Sequence, residues 1–400
     1  MMFEACLIRE LIEVFLIFLR LGVTSFGGPI AHLGYFHDEF VVKRKWFDEH
    51  SYADLVALCQ FLPGPASSQV GIAIGESRAG ALGAVAAWTG FTMPSALILM
   101  AFAFGLSTFH ELISGSWLHG LKVVAVAIVA QAIWGMGVKL CPDWKRFSIA
   151  VAAAFVAYWI PTASGQVGII LTGGILGVLF IKLDSQLPHR PRQTKISEKW
   201  GTVCLILFIL LVTLLPVAAA SFDSQGLRLF DRFFRAGSLV FGGGHVVLPL
   251  LKAEVVTSGW VTSDAFMAGY GAAQAVPGPI FTFAAYLGAL SKEEPSGWIG
   301  ALIALFGVFL PSFLLIFGTL PFWEKLRRIP QMRHAMFGIN AAVVGLLMAA
   351  FYNPVWTSAI FSFKDFGLAV FCFVLLVFWK MPSWAVVILS ASLGWWGIPS

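Results

Sequence analysis

The stretch Phe26-Gly27-Gly28-Pro29 lies inside an apolar segment, and a similar stretch, Phe241-Gly242-Gly243-Gly244, recurs in the second half of the chain. A second motif is repeated in the same order: Gln60 with Pro63-Gly64-Pro65, and Gln274 with Pro277-Gly278-Pro279. Proline lacks the N–H that a helix needs and glycine loosens the backbone, so both motifs interrupt helices. Two halves that share helix-breaking motifs within apolar segments are typical of membrane transporters built from an internal repeat.

Composition identifies the kind of protein that contains these motifs. Of the 400 residues, 58% are hydrophobic and 12% are charged, whereas soluble domains carry roughly 25% charged residues. Mean hydropathy is +0.85, so we predict an all-α polytopic membrane protein whose surroundings are a lipid bilayer. Short basic loops account for the net charge of +5, and we expect no nucleic-acid partner.

Hydropathy predicts thirteen membrane spans, six in each half and a single linker span between them. The predicted spans are 7–28, 53–75, 80–107, 119–140, 147–160, 165–182, 201–220, 229–244, 265–289, 298–320, 336–352, 366–379 and 382–398. On this division the first repeat covers 1–182, a cytoplasmic loop and the linker span cover 183–220, and the second repeat covers 221–400. The odd linker span gives the second repeat an inverted topology.

Register and charge both favour this inverted arrangement. Arg20 and Glu39 recur as Arg235 and Glu254 at a constant offset of 215. We expect a bacterial inner membrane with the N-terminus cytoplasmic and the C-terminus periplasmic, because the inside loops then carry most Lys and Arg. The cluster Lys43-Arg44-Lys45 opposes this orientation, and the span count changes if the Pro-Gly-Pro segments form re-entrant hairpins.

The helix breaks are candidate anion sites. A helix that restarts after a break directs free N–H groups and the positive end of its dipole into the interruption. Unpaired backbone at membrane depth persists only within protein or beside a cavity. We therefore predict an oxyanion site formed by Gly27, Gly28, Gly242, Gly243, Gly64 and Gly278. The alternative is that the breaks are kinks that serve packing alone.

Arg20 and Arg235 are the strongest side-chain candidates for contact with the anion. An arginine at membrane depth costs at least about 2.5 kcal/mol, so it normally has a partner or a function. Its planar donor fork is suited to oxyanions. The alternatives are snorkelling to the interface or ion pairs, with Glu13 for Arg20 and with Asp231 for Arg235.

Two further matched pairs flank the breaks. Lys122 aligns with Asn340 in the second half. The lysine either binds the anion or simply lies at a helix end. The acids Glu39 and Glu254 are candidates for coupling or gating, in which they carry a proton or pair with the arginines. Solvated loop acids are the alternative for both.

Histidines and neutral donors complete the candidate set. His32 and His245 lie near the Phe-Gly-Gly breaks, at an offset of 213, and serve gating, anion contact or packing. We predict anion contacts for Gln60 and Gln274, with hydrogen bonds between helices as the alternative. Other polar residues beside the Pro-Gly-Pro motifs are Ser67, Ser68, Gln69, Thr282 and Tyr286. A gating role is assigned to the motif prolines, Pro63, Pro65, Pro277 and Pro279.

On the Phe-Gly-Gly-Pro and Gln-x-x-Pro-Gly-Pro motifs and their second copies, the chain resembles the chromate ion transporter family. It is similar to the long, two-domain form of that family over nearly its whole length. The resemblance implies a membrane carrier that exports chromate, confers chromate resistance and exchanges chromate with sulfate. Both ions are tetrahedral dianions. The second half departs from the motif with Gly244 in place of Pro29.

The predicted function is therefore chromate efflux by a transporter that is not an enzyme, uses no cofactor or metal, and forms a homodimer. The alternatives are an intramembrane oxidoreductase, a scaffold protein, or a carrier of sulfate or another oxyanion. The five cysteines form no CxxC pair, and the sequence contains no nucleotide-binding motif. Both observations argue against the oxidoreductase.

Overall fold

The computed structural model describes residues 2–108, 116–181, 194, 196–241, 244–326 and 329–396. Within these ranges the regular structure is helical and no strand occurs. Large apolar side chains cover the outside of the protein, and Phe363 and Trp159 are 84% and 77% exposed. An apolar outer surface of this extent suits a bilayer and not water. The predicted class, an all-α polytopic membrane protein, is confirmed.

Helices α1 to α7 form the first half of the chain. Their bounds are Met2–Thr24 (α1), Gly28–His37 (α2), Glu49–Phe61 (α3), Ala66–Thr108 (α4), Ser116–Leu140 (α5), Trp144–Trp159 (α6) and Ala163–Phe180 (α7). A π-helical segment, Asp38–Lys43, continues α2. α4 consists of two helices, because Ala79 and Gly80 depart from helical geometry and the chain turns there.

Helices α8 to α17 form the rest. Their bounds are Glu198–Ser221 (α8), Gln225–Leu239 (α9), Val247–Leu251 (α10), Ser263–Ala273 (α11), Phe283–Ala289 (α12), Gly297–Thr319 (α13), Trp323–Leu326 (α14), Pro330–Ala350 (α15), Phe363–Val377 (α16) and Ser383–Trp395 (α17). A second π-helical segment, Lys252–Val256, continues α10. The predicted linker span 201–220 lies within α8, which packs against α9 and α13.

By length and apolar composition, five helices of the described chain can each cross a bilayer. They are Ala66–Leu106, Ser116–Leu140, Glu198–Ser221, Gly297–Phe322 and Pro330–Trp356. The predicted spans 53–75 and 265–289 are each divided into shorter helices at the Pro-Gly-Pro motif, where proline removes a backbone donor. The total of thirteen spans stays a prediction.

Each half contains a tight helix corner at the same place in its sequence. A methyl group built on Gly75 would overlap the carbonyl oxygen of Gly83, where the two parts of α4 meet. A methyl group on Gly288 would likewise overlap the carbonyl oxygen of Gly300, where α12 meets α13. Glycine at these positions lets two helix backbones touch. The local structure of the repeats therefore agrees beyond the motifs that break the helices.

Helices of each half pack against helices of the other half. α5 packs against α16 and α17, and α15 packs against α6 and α7. The close contacts correspond, because a methyl group on Gly120 would overlap the carbonyl oxygen of Ser390 and one on Gly338 would overlap that of Gly173. Ser390 Oγ also donates to the Gly120 carbonyl at 2.9 Å. Each half therefore completes the packing of the other.

The contact between α7 and α15 leaves no room for a side chain at Gly338. We expect Gly338→Ala to lower the free energy of unfolding by about 1–3 kcal/mol, the usual cost of overpacking. The thermal unfolding midpoint of the detergent-purified protein measures this. Gly137→Ala is the control, because a methyl group on Gly137 meets nothing within 4 Å. Equal midpoints for the two variants would contradict the contact.

Candidate functional site

The predicted helix breaks are present, and glycines in left-handed backbone conformations form them. α1 ends at Thr24, and Gly27 and Gly28 follow with φ of 100° and 76°. Gly64 and Gly278, at the centres of the two Pro-Gly-Pro motifs, have φ of 122° and 90°. Side chains disfavour these values, so glycine is required. Gly242 and Gly243, which belong to the predicted anion site, lie outside the described residues.

The breaks of one half are bonded to those of the other. Gly64 N–H donates to the Val240 carbonyl at 2.6 Å, and Gly278 N–H donates to the Ser25 carbonyl at 2.9 Å. Ser25 and Val240 precede the two Phe-Gly-Gly motifs at the offset of 215. The two bonds are therefore the same contact made twice, once in each direction between the halves.

The two Phe-Gly-Gly motifs also meet each other. A methyl group on Gly244 would lie 3.1 Å from Pro29 Cγ and 2.8 Å from Ile280 Cγ2. Gly244 thus contacts the first-half motif on one side and the second-half Pro-Gly-Pro segment on the other. All four breaks are joined by direct contacts, as a single site formed by both halves requires.

Buried polar atoms without a partner surround this junction. Among the residues that the structure describes, no hydrogen-bond partner is present for five side-chain atoms, each in a residue at most 2% exposed: Ser25 Oγ, His32 Nε2, Ser68 Oγ, Gln69 Oε1 and Ser312 Oγ. An unsatisfied buried polar group costs about 1–3 kcal/mol, so such a concentration needs an explanation. A ligand or ordered water that bonds to these atoms supplies one. We call these five residues the central polar cluster.

The cluster lies beside Gly64. A methyl group on Gly64 would be 2.6 Å from Gln69 Nε2 and 2.8 Å from Ser312 Oγ. Gln69 Nε2 donates to the Pro63 carbonyl at 2.6 Å. This bond fixes the Gln69 amide, whose Oε1 is the unpartnered atom of the cluster. α4 begins one residue after Pro65, so its first N–H groups lack intrahelical acceptors here. The junction therefore offers neutral donors and a helix N-terminus together.

His32 belongs to the same neighbourhood. Its Nδ1 lies 3.4 Å from Ser67 Oγ, and its ring meets the Phe91 ring edge to face at 5.2 Å. A methyl group on Gly278 would be 3.1 Å from the Phe91 carbonyl oxygen. His245 is placed differently, since its Nδ1 lies 2.8 Å from Tyr270 Oη. The two histidines are therefore not structural equivalents, in keeping with their unequal offset.

Arg20 and Arg235 are held by the matched glutamates. Arg20 Nη2 lies 2.5 Å from Glu39 Oε2, and Arg235 Nη1 lies 3.0 Å from Glu254 Oε1. Glu39 and Glu254 are buried, and each lies in a π-helical segment that follows its Phe-Gly-Gly break. π-Helical turns are frequent at functional sites. Of the alternatives open in the sequence, pairing between these arginines and glutamates is the arrangement present.

The ion-pair networks around the two glutamates differ in their remaining members. In the first half, Arg44 bridges Glu39 and Glu13 at 2.8 Å each. In the second half, Arg235 also pairs with Asp231 at 2.9 Å. Glu13 is therefore a partner of Arg44, whereas the Asp231 pair is formed as expected. In both networks the guanidinium groups of Arg20, Arg44 and Arg235 are paired with carboxylates.

The remaining candidates are dispersed. Lys122 Nζ lies 2.6 Å from Asp264 Oδ1. Gln60 is exposed, whereas Gln274 is half-buried. Within the described ranges, neither Asn340 Oδ1 nor Gln274 Nε2 has a hydrogen-bond partner. Of the motif prolines, Pro65, Pro277 and Pro279 are buried and Pro63 is half-buried. The central polar cluster contains two residues absent from the sequence prediction, Ser25 and Ser312. The repeat of Pro94-Ser95 as Pro311-Ser312 was the available signal for Ser312.

Comparison with known proteins adds an independent observation. The family model described as Chromate transporter matches residues 12–178 and 227–395. A probable chromate transport protein of Synechococcus elongatus is 30% identical over 339 residues, covering 83% of this chain and 81% of that protein. The chromate transport protein of Pseudomonas aeruginosa is 27% identical and covers 96% of this chain and 91% of its own length. That of Cupriavidus metallidurans is also 27% identical, over 84% of this chain. No solved structure matches the chain.

Proposed function

The chain belongs to the chromate transporter family, and on that premise we propose that it carries chromate through a site at the junction of the four helix breaks. The resemblance noted in the motifs is thereby confirmed at the level of the family. The names of the relatives support chromate transport by a multi-pass membrane protein. Export, exchange with sulfate and chromate resistance are parts of the proposal.

The observation that carries the proposal is the central polar cluster. Its members are neutral, buried and partly unbonded, and they adjoin backbone that is interrupted in both halves. Neutral donors and helix N–H groups bind a tetrahedral anion without the desolvation cost of a buried cation. Gly27, Gly28, Gly64 and Gly278 are the proposed backbone contacts, and Gln274 supplies a further free amide.

We propose that Arg20 and Arg235 set the positive potential of the site and that their glutamates gate it. An arginine paired with glutamate is neutral overall, and separation of the pair exposes a cation to an approaching dianion. Glu39 and Glu254 lie in matched π-helical segments, which are the natural places for small changes in helix register. Alternating opening of the two pairs then gives alternating access.

The proposed orientation follows from the repeat. We infer two six-span repeats of inverted topology around α8, in a bacterial inner membrane with the N-terminus in the cytoplasm. An inside-negative potential then favours exit of an uncompensated dianion by about 4–5 kcal/mol per 100 mV. The corresponding contacts of the halves, at Gly64 and Gly278, support a symmetric pair of access routes. A homodimer completes the proposal without contributing to the site.

Chromate counterflow in proteoliposomes tests the site. We expect Ser68→Ala and Ser312→Ala each to raise the chromate concentration at half-maximal flux about two- to tenfold, because each loses one neutral hydrogen bond. Labelled chromate measures the flux, and sulfate and phosphate serve as competitors. Ser221→Ala is the control, since this exposed serine donates only to the Val217 carbonyl within its own helix.

Unchanged half-saturation in both site variants would exclude the central polar cluster from binding. Flux of sulfate with no flux of chromate would instead retain the site and change the cargo. Arg20→Ala and Arg235→Ala distinguish the role of the arginines. If both variants lose chromate flux while the protein stays in the membrane, the arginines set the positive potential as proposed. Normal flux in both variants would contradict this role.

A further inference from the structure

A cavity of about 100 Å³ lies between the two halves and apart from the central polar cluster. We call it the Lys252 cavity. Its polar lining residues are Tyr158, Gln166, Lys252, Thr257 and Asn353. A single ordered water needs roughly 10–15 Å³ by the same measure, so the space holds a small ion together with water.

Lys252 is the cation of this cavity, and its partners are neutral. Its Nζ donates to Asn353 Oδ1 at 3.0 Å. Within the described part of the chain, no carboxylate lies within 4 Å of Nζ. Lys122 differs in this respect, because it is paired with Asp264 at 2.6 Å. Glu254, two residues after Lys252, forms its ion pair with Arg235.

Gln166 supplies an independent sign of a ligand. The residue is 6% exposed, its Nε2 donates to the Pro249 carbonyl at 3.2 Å, and its Oε1 has no partner in the part of the chain that the structure describes. An acceptor buried in this way is satisfied by a ligand hydroxyl or by water. The cavity therefore combines one unpaired positive charge with one unpaired acceptor.

We propose that the Lys252 cavity binds a small tetrahedral oxyanion in its protonated, singly charged form. Lys252 Nζ meets a negative oxygen of the ion, and Gln166 Oε1 accepts from its hydroxyl. The single lysine balances a single negative charge, whereas a dianion leaves one charge uncompensated at this half-buried position. Near neutral pH, phosphate and chromate are partly present as the monoanions dihydrogen phosphate and hydrogen chromate, whereas sulfate is a dianion. The cavity thus discriminates within a group of ions that have the same shape.

The residues that correspond to Lys252 and Gln166 in the other half of the chain have different contacts. His37 occupies the position of Lys252 in the first half, at the offset of 215, and its Nε2 lies 2.8 Å from Glu49. Ser383, which lies 217 residues after Gln166, donates to the Gln274 carbonyl at 3.1 Å. His37 contacts a carboxylate and Ser383 is bonded to a backbone carbonyl, so these two residues reproduce neither the cation nor the acceptor of the Lys252 cavity.

Equilibrium dialysis of the purified full chain tests this proposal. The probes are labelled inorganic phosphate and labelled sulfate. Binding is measured at two pH values, one at which dihydrogen phosphate predominates and one at which hydrogen phosphate predominates. The titratable groups that line the cavity are Lys252 and Tyr158. We expect phosphate to bind more tightly on the acid side, and Lys252→Met to weaken this binding about ten- to a hundredfold. Gln166→Leu should remove the preference for the acid side.

Controls separate charge from folding and this cavity from the central site. Lys252→Arg keeps the charge and should retain most of the binding. Lys145→Met is the matched control, because Lys145 Nζ also donates to a neutral oxygen, the Phe180 carbonyl at 3.2 Å, but lies outside the cavity. Ser221→Ala, at an exposed serine outside both sites, should leave phosphate binding unchanged.

Three results would overturn the proposal. The first is phosphate binding by Lys252→Met at wild-type strength. The second is sulfate binding that weakens in Lys252→Met as much as phosphate binding does and does not respond to pH. The third is loss of all anion binding in Ser312→Ala, which would show a single central site. Failure of chromate flux with intact phosphate binding would count against the proposed function and not against this cavity.

Discussion

Gly64→Ala is expected to reduce chromate flux about tenfold or more while the protein stays folded. Residues with a side chain pay roughly 1–2 kcal/mol in the left-handed region, and Gly64 has φ of 122°. The new methyl group would also lie 2.6 Å from Gln69 Nε2 and 2.8 Å from Ser312 Oγ. The variant therefore displaces two members of the central polar cluster. Flux of labelled chromate into proteoliposomes measures the loss.

Gly259→Ala separates backbone strain from the effect on the site. Gly259 has φ of 79°, and a methyl group there meets nothing within 4 Å. Both variants therefore place a side chain at positive φ, and only Gly64→Ala alters the junction of the breaks. We expect nearly normal flux from Gly259→Ala. Equal flux from the two variants would show that the geometry at Gly64 does not matter for transport.

Glu254→Gln is expected to lower the free energy of unfolding by about 3 kcal/mol. Removal of one partner from a buried ion pair costs roughly 3–5 kcal/mol, because it leaves the other charge uncompensated. The lower end applies here since Asp231 still pairs with Arg235 at 2.9 Å. The second variant, Arg235→Met with Glu254→Gln and Asp231→Asn, should recover part of the loss, because it removes both carboxylates together with the guanidinium that pairs with them. Thermal and denaturant unfolding in detergent measure both.

Glu198→Gln provides the comparison for an exposed pair. Glu198 and Lys325 lie 3.1 Å apart with side chains 63% and 72% exposed, and such pairs contribute about 0–1 kcal/mol. We expect little change in the unfolding midpoint. If Glu254→Gln were as stable as Glu198→Gln, the pair with Arg235 would contribute nothing to folding, and only its proposed gating role would remain to be tested by flux.

The helix breaks could be predicted from the sequence because their cause is local. Proline and glycine interrupt a helix wherever they occur in these motifs, and the breaks at Gly27, Gly28, Gly64 and Gly278 are present. The apolar composition likewise predicts the membrane class, since burial in lipid depends on the sum of side chains. The matched glutamates could be aligned with the arginines because both follow one offset.

The partners of these residues could not be predicted, because they depend on tertiary packing. Glu13 pairs with Arg44. The sequence suggests Arg20 as its partner, because the two residues are seven positions apart on one helix. The hydrogen bond from Gly64 to Val240 joins residues that are far apart in the chain. Ser312 is an ordinary helix residue in sequence and becomes part of the central polar cluster only when the halves meet. The free acceptor of Gln166 depends on the same long-range contacts.

The reciprocal bonds from Gly64 to Val240 and from Gly278 to Ser25 have an evolutionary consequence. A protein that consisted of one such half would have a donor glycine whose acceptor belongs to another molecule, so it would have to pair with its own twin. Fusion of two such halves would preserve this interface within one chain. Two joined halves need not be identical, so a lysine at 122 and an asparagine at 340 are compatible in one polypeptide.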